Sequence, residues 1–203
     1  MYIICTNNYC IYRHQSIVGF KPIDVSKDGN CIFNSLGWAL FGNEGRAAEL
    51  RVRLSIYMRI NTELYSLGNI RSTFKNEITM TDMELILQSS VSRTDYVNGD
   101  MPKTIKNRSK SLIKSGEYAS MVEVFYASSM LNIDIEIIYP SSFNLFTKQE
   151  LYSGVVRCTS ASRSITISWT STDQDSVKSL QTGKWRPNHF VPCLKTEVPV
   201  SVI

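Results

Sequence analysis

Asp28-Gly29-Asn30-Cys31-Ile32-Phe33-Asn34-Ser35-Leu36 is the stretch on which the reading of this chain turns. Turn-forming residues from Ser26 to Asn30 run straight into an apolar segment, Cys31 to Phe41. Ile32, Leu36, Ala39 and Leu40 recur at i, i+4, i+7 and i+8, which predicts a buried helix. Cys31 then stands at or just before the first turn, where unpaired N–H groups and the positive end of the helix dipole favour a thiolate. Those N–H groups, together with those of the Asp28–Asn30 turn, can hold an oxyanion formed by attack on a carbonyl. Gly29 permits a positive φ and a close approach of backbone to substrate. An arbitrary buried cysteine is more often structural than catalytic. The polar turn before Cys31 and the helix after it single this one out as a candidate nucleophile.

A nucleophilic thiol needs a base, and the chain has two histidines, His14 and His189. His14 has no motif around it and reads as a surface residue. His189 lies in Trp185-Arg186-Pro187-Asn188-His189-Phe190-Val191-Pro192, a short apolar stretch with the character of a strand or its entry. A cysteine early and a histidine late is a workable order, because the two need only meet in space.

Asp28-Gly29-Asn30-Cys31-Ile32-Phe33, followed far downstream by Asn188-His189-Phe190, resembles the ovarian-tumour (OTU) family of cysteine proteases, most of them deubiquitinases. A third block agrees: Ser115-Gly116-Glu117-Tyr118-Ala119, a helical run to Leu131, then the β-rich Ile133–Tyr139. The three blocks stand in family order between Lys21 and Leu194, and their combination is more specific than any one of them.

The resemblance implies an α+β fold with a mixed β-sheet packed between helices, and an enzyme hydrolysing isopeptide bonds at the C-terminal glycine of ubiquitin or a ubiquitin-like modifier. Cys31 is then the nucleophile and His189 the general base and acid. Asp28 matches the family's aspartate three residues before the cysteine and joins the catalytic set; its own position suggests that it shapes the turn and the oxyanion site, with a direct contact to His189 open. Its bland alternative is strong, since Asp-Gly is a common turn pair on its own. Gly29 and Asn30 are the expected backbone donors. Many members carry Asp or Asn two residues after the histidine to orient the ring, but here that position is Val191. Asn188, Asp24 and Asp28 are the substitutes to consider, Asn188 being disfavoured because successive strand residues face opposite ways. If position 191 is a vacant orienter site, a carboxylate placed there should raise activity. Two other functions stay open: an OTU-type protease domain of a viral or mobile-element polyprotein, and a catalytically weak OTU fold that binds ubiquitin.

The composition agrees with an ordinary folded domain: 203 residues, 43% hydrophobic and 20% charged. The formal charge of +4 is too mild to argue for nucleic acid. Five cysteines without a CxxC, beside two histidines, give no zinc-like spacing and no disulfide framework. No cofactor or metal is expected. The N-terminus turns polar too early for a signal peptide, and no apolar run nears the ~20 residues a membrane helix needs. A soluble, intracellular, cytoplasmic monomer acting on ubiquitin conjugates is the expectation.

Residues 1–20 read as an N-terminal arm or peripheral strand, 21–194 as the OTU-like domain, and 195–203 as a C-terminal tail. A helix from Cys31 stops at Gly42-Asn43. A long helix follows from about Glu44 to Tyr65, with Leu50, Leu54, Tyr57, Ile60 and Leu64 as its apolar stripe and Arg46, Arg51, Arg53 and Arg59 around the rest. Thr79–Val91 reads as a helix capped by Thr81 with Glu84. In Gly99–Ser115 the apolar period fades, and Lys103, Lys106, Arg108, Lys110 and Lys114 suggest a solvated loop, or else a substrate-facing one. Glu117–Leu131 is helical, and Val155–Cys158, Ser164–Thr170 and His189–Leu194 are β-segments.

Overall fold

In a computed structural model, residues 19–66, 79–139, 153–158, 160–171 and 188–196 are described. His14, Cys5, Cys10 and most of the expected N-terminal arm and C-terminal tail lie outside them. The first described elements are a short strand β1 (Phe20–Pro22) and the helix α1 (Cys31–Phe41). It continues through α2 (Ala47–Ile60), a 3-10 turn (Thr62–Tyr65), α3 (Met80–Ser90), α4 (Met101–Leu112) and α5 (Met121–Leu131). Four strands complete the order: β2 (Asp134–Ile138), β3 (Gly154–Val156), β4 (Ser164–Thr170) and β5 (His189–Lys195). The architecture is α+β, and the described strands form one mixed sheet in the order β1-β5-β4-β2-β3. β2 and β4 run parallel, and every other neighbouring pair is antiparallel.

Helices cover this sheet at two places, α1 against β5 and α5 against β2 and β3, while α2 packs on α1, α4 and α5. The sheet has one strongly apolar face. Ile135 and Ile137 pair with Ile165 and Ile167, and beside them Trp169 pairs with Phe190, ring centroids 3.8 Å apart. Partners directly across a ladder share a face, so the other face of β4 and β5 carries Thr166, Ser168 and Thr170 opposite Cys193, Val191 and His189. All six are buried. β5 is thus covered on both sides, and its histidine starts a strand that cannot drift.

Four helix expectations need correction. The segment after α1 is not one helix to Tyr65: α2 ends at Ile60, and Asn61 breaks it before a 3-10 turn. Its buried stripe is Ala47, Leu50, Arg51, Leu54, Ser55 and Met58, whereas Ile60 is 75% exposed. The stripe therefore takes in an arginine that apolar spacing alone assigns to solvent. In α3 the cap is Thr79 and not Thr81: Thr79 Oγ1 accepts from the Asp82 N–H at 3.1 Å, and Asp82 Oδ2 accepts from the Thr79 N–H at 3.0 Å. The basic stretch Gly99–Ser115 is not a loop but contains α4, started by Asp100 capping the Lys103 N–H and by Pro102 in the first turn. Its buried side is Thr104, Ile105, Arg108, Ser109 and Leu112, largely polar, which is why hydrophobic periodicity misses it. The fourth helix expectation began at Glu117, but α5 begins at Met121, with Glu123 Oε2 accepting from the Ser120 N–H at 2.6 Å.

Candidate active site

The candidate turn Asp28–Asn30 is built from its own side chains. Asp28 Oδ1 accepts from the Asn30 N–H at 2.9 Å and from Asn34 Nδ2 at 3.2 Å, while Oδ2 accepts from Asn30 Nδ2 at 2.8 Å. Against the upward push of partial burial, these donors hold the Asp28 carboxyl below its ordinary pKa. Asp28 therefore acts as a turn-former. The Asn30 N–H, one of the two expected oxyanion donors, is engaged by Asp28, which leaves Gly29 as the turn's remaining candidate. Gly29 has φ +81°, and a Cβ built on it would stand 2.4 Å from the carbonyl oxygen of Gly116. The turn thus packs backbone on backbone against the Ser115–Ala119 block, and only glycine fits.

Two residues that the sequence reading did not single out fix this turn from behind. Arg51, 3% exposed, donates from Nε to Asn30 Oδ1 at 2.7 Å and from Nη2 to the Gly29 carbonyl at 2.8 Å. Its Nη1 donates to the carbonyls of Leu112 at 2.8 Å and Lys114 at 3.1 Å, so one guanidinium joins the turn to the end of α4. Its flat face lies over Phe33, 4.6 Å from the ring centroid. Asn34 donates to the Ser26 carbonyl at 3.1 Å as well as to Asp28. The signal for Arg51 was available: it follows Ala47 by four and precedes Leu54 by three, a core position. Behind it, Arg108 donates to Glu123 Oε1 and Glu117 Oε1, both at 2.7 Å, and to the Tyr118 carbonyl. The lysine-rich segment thus contributes a buried ion pair that braces the Gly116 block.

Cys31 occupies the first position of α1, and Cys31 and His189 are each 2% exposed. The thiol receives main-chain hydrogen bonds from Phe190 and Ile32. The Phe190 contact and the packing of α1 on β5 bring the start of α1 against the strand whose first residue is His189. Burial pushes the Cys31 pKa up despite those N–H groups. Burial, helped by the positive charge of Lys27, lowers that of His189 from 6.5 to about 4. A hydrogen bond to Val25 and the negative charges of Asp28 and Glu44 act the other way on His189. The resting pair at neutral pH is therefore thiol and neutral imidazole, where the helix terminus alone argued for a thiolate.

The expected orienters lie elsewhere. Asp24 is exposed; its partial burial raises its pKa, against a hydrogen bond from Val25. Asn188 is exposed, and its N–H extends the ladder by donating to the Thr170 carbonyl at 3.1 Å. Val191 is 1% exposed within the hydrophobic core, so position 191 is a packing position. The main chain of Val25 is what the structure brings to the imidazole.

A family model described as "Vertnin, OTU domain" matches residues 22–170. The chain belongs to the OTU-domain family. The match holds Asp28, Cys31 and Gly116 and ends with β4, before the strand that carries His189. Among solved structures, the OTU domain of OTUD1 is similar at 15% identity and a TM-score of 0.50, covering 87% of this chain and 86% of that one. The viral OTU domain protease from Farallon virus is similar at 14% identity and a TM-score of 0.52, covering 88% of this chain and 86% of that one. At these identities the likeness establishes the shared OTU fold. No curated protein matches. Among the described residues of this OTU domain, no helix is long and apolar enough to cross a membrane.

Proposed function

We propose that this OTU domain is a cysteine deubiquitinase that hydrolyses isopeptide bonds at the C-terminal glycine of ubiquitin or a ubiquitin-like modifier. The observation that carries the reading is the meeting of Cys31 and β5: the Phe190 N–H bonds the Cys31 sulfur, beside a buried His189. From the neutral resting pair, the imidazole takes the thiol proton as sulfur attacks the carbonyl, and later returns it to the leaving lysine amine. The Val25 contact and the charges of Asp28 and Glu44 stabilise the imidazolium that forms between those steps. The oxyanion falls to main-chain donors around Cys31, at the end of α1 where the helix dipole is positive. The Gly29–Gly116 contact gives the site a floor of bare backbone, suited to a substrate tail that ends in glycines.

A second reading keeps the fold and the partner but not the turnover: a ubiquitin-binding module with weak catalysis. It is favoured by the neutral resting state of the thiol and the imidazole. One reagent separates the two. Ubiquitin carrying a thiol-reactive electrophile at its C-terminus should form a one-to-one adduct on wild-type protein and none on Cys31→Ala, read by intact mass. An adduct mapped to Cys158 or Cys193 refutes the assignment of the nucleophile. Binding without an adduct on wild-type protein selects the second reading.

A further inference from the structure

His189 opens β5 directly opposite Thr170, the last residue of β4. Residues across an antiparallel pair project to the same face. The adjacent pair fixes that register independently, because Trp169 and Phe190 stack on the opposite face. Thr170 is 1% exposed, and its Oγ1 has no hydrogen-bond partner among the described residues. The other two hydroxyls on this face of β4 are both used. Thr166 Oγ1 donates to Glu136 Oε2 at 2.9 Å, and Ser168 Oγ donates to the Trp169 carbonyl at 3.2 Å. A buried hydroxyl with no partner is worse than a methyl of the same size, so valine would serve the packing better.

We propose that Thr170 is a positioning residue for His189, its hydroxyl hydrogen-bonding the imidazole as the ring takes up the Cys31 proton. This rests on the deubiquitinase reading above. In the step, the S–H bond of Cys31 breaks, its electron pair stays on sulfur, and the proton goes to the ring nitrogen on the sulfur's side. The N–H on the ring's other side, which the Val25 main chain already engages, is shared with Thr170 Oγ1 as a two-acceptor hydrogen bond. The transferred proton later leaves the ring for the amine of the departing lysine. A hydroxyl suits the task because it can accept from the ring N–H and still donate elsewhere. It also stands where a partner strand can supply an orienter that the histidine's own strand lacks, since Val191 is committed to the core. The charged groups around the ring are Lys27 from the segment before α1, Asp28 from the turn, and Glu44 from the α1–α2 connection. None of them lies on β4.

The test compares Thr170→Val, which removes only the hydroxyl, with Thr170→Ser, which keeps it. On a fluorogenic ubiquitin C-terminal amide, Thr170→Val should lower kcat about tenfold or more with KM little changed, while Thr170→Ser stays within about threefold of wild type. The melting temperature of Thr170→Val should hold or rise, as loss of an unpartnered buried hydroxyl requires. Independently of turnover, the His189 ring pKa is read by NMR in a Cys31→Ala background, with the signal assigned against His189→Asn. It should fall in Thr170→Val and hold in Thr170→Ser. An unchanged kcat or ring pKa in the valine variant, or a serine variant as impaired as the valine one, overturns the proposal. If wild-type protein hydrolyses no ubiquitin amide, the NMR comparison decides alone, so failure of the enzymatic reading and failure of this one are distinct. Should Thr170→Val not fold, Thr170→Ala carries the same comparison.

Discussion

Replacing Arg51 with Met tests whether the Asp28–Asn30 turn is held from behind. Met fills much of the volume of the arginine stem, so little apolar contact is lost. What goes is the guanidinium, with its hydrogen bonds to Asn30 Oδ1 and to the carbonyls of Gly29, Leu112 and Lys114. A hydrogen bond to a charged group contributes about 1.5–3 kcal/mol, and simple addition over the set would exceed what is ever observed. The carbonyls keep second lone pairs, and removing Arg51 also relieves repulsion from Arg108, which together with burial lowers the Arg51 pKa. Breaking a buried charged network typically costs ~3–5 kcal/mol, and the lower half of that range is expected here. For a domain of this size, that corresponds to a fall of roughly 6–15 °C in melting temperature. Turnover should fall further than stability explains at a temperature where the variant is folded. A displaced turn moves both Cys31 and the Gly29 donor, and a shift of about 1 Å can cost on the order of 100-fold. Circular dichroism melts and turnover of a fluorogenic ubiquitin substrate on folded protein give both quantities. A Met variant that melts within about 2 °C of wild type and retains its kcat would refute the bracing role.

Three further outcomes follow from the same geometry. Gly29→Ala should lower both labelling by the ubiquitin electrophile and the melting temperature, since its Cβ meets the Gly116 carbonyl at 2.4 Å and its positive φ adds about 1–2 kcal/mol; normal labelling at wild-type stability would place the reactive turn elsewhere. His189, lowered from 6.5 to about 4, makes the unfolded chain bind a proton that the folded one refuses, so stability should drop as pH falls through that window and level off below it. The loss is about 3 kcal/mol, read from urea unfolding at several pH values; His189→Asn should remove that part of the slope, and an identical slope in both proteins contradicts the burial of the ring. Val191→Asp places a carboxylate in the core and should cost about 3–5 kcal/mol with loss of activity; a stable, more active variant would revive position 191 as an orienter site.

The parts of the fold that were legible in the sequence are those where one local signal suffices. The α1 boundaries follow from the Asn30–Cys31 junction and from Gly42, whose φ of +76° ends the helix as its position suggested. β4 coincides with Ser164–Thr170, a run of β-branched and aromatic residues ending in the buried Trp169-Thr170. Less legible were elements whose buried face is polar. α4 hides Thr104, Arg108 and Ser109, and α2 hides Arg51 and Ser55. Such faces are stabilised by partners far away in the chain, Glu123 for Arg108 and the Gly29–Asn30 turn for Arg51. A hydropathy pattern scores these residues as solvated, because it has no access to the partner.

The site divides along the same line. Asp28, Gly29 and Cys31 are neighbours in sequence and so define a turn chemistry on their own, while the company of His189 is set by long-range pairing. The search for an orienter two residues after the histidine assumes that the strand supplying the base also supplies its support. In this sheet that assumption fails for a packing reason. β5 is buried on both faces, so the side chain at 191 is claimed by the core. What remains near the ring is a main-chain group, at Val25, and a side chain from the neighbouring strand, at Thr170. A main-chain hydrogen bond leaves no trace in residue identity, since any residue at 25 offers the same backbone. A cross-strand partner is visible only once the register of β4 against β5 is known. The departure at Val191 is therefore explained by packing, and by itself says nothing against the pairing of Cys31 with His189 proposed above.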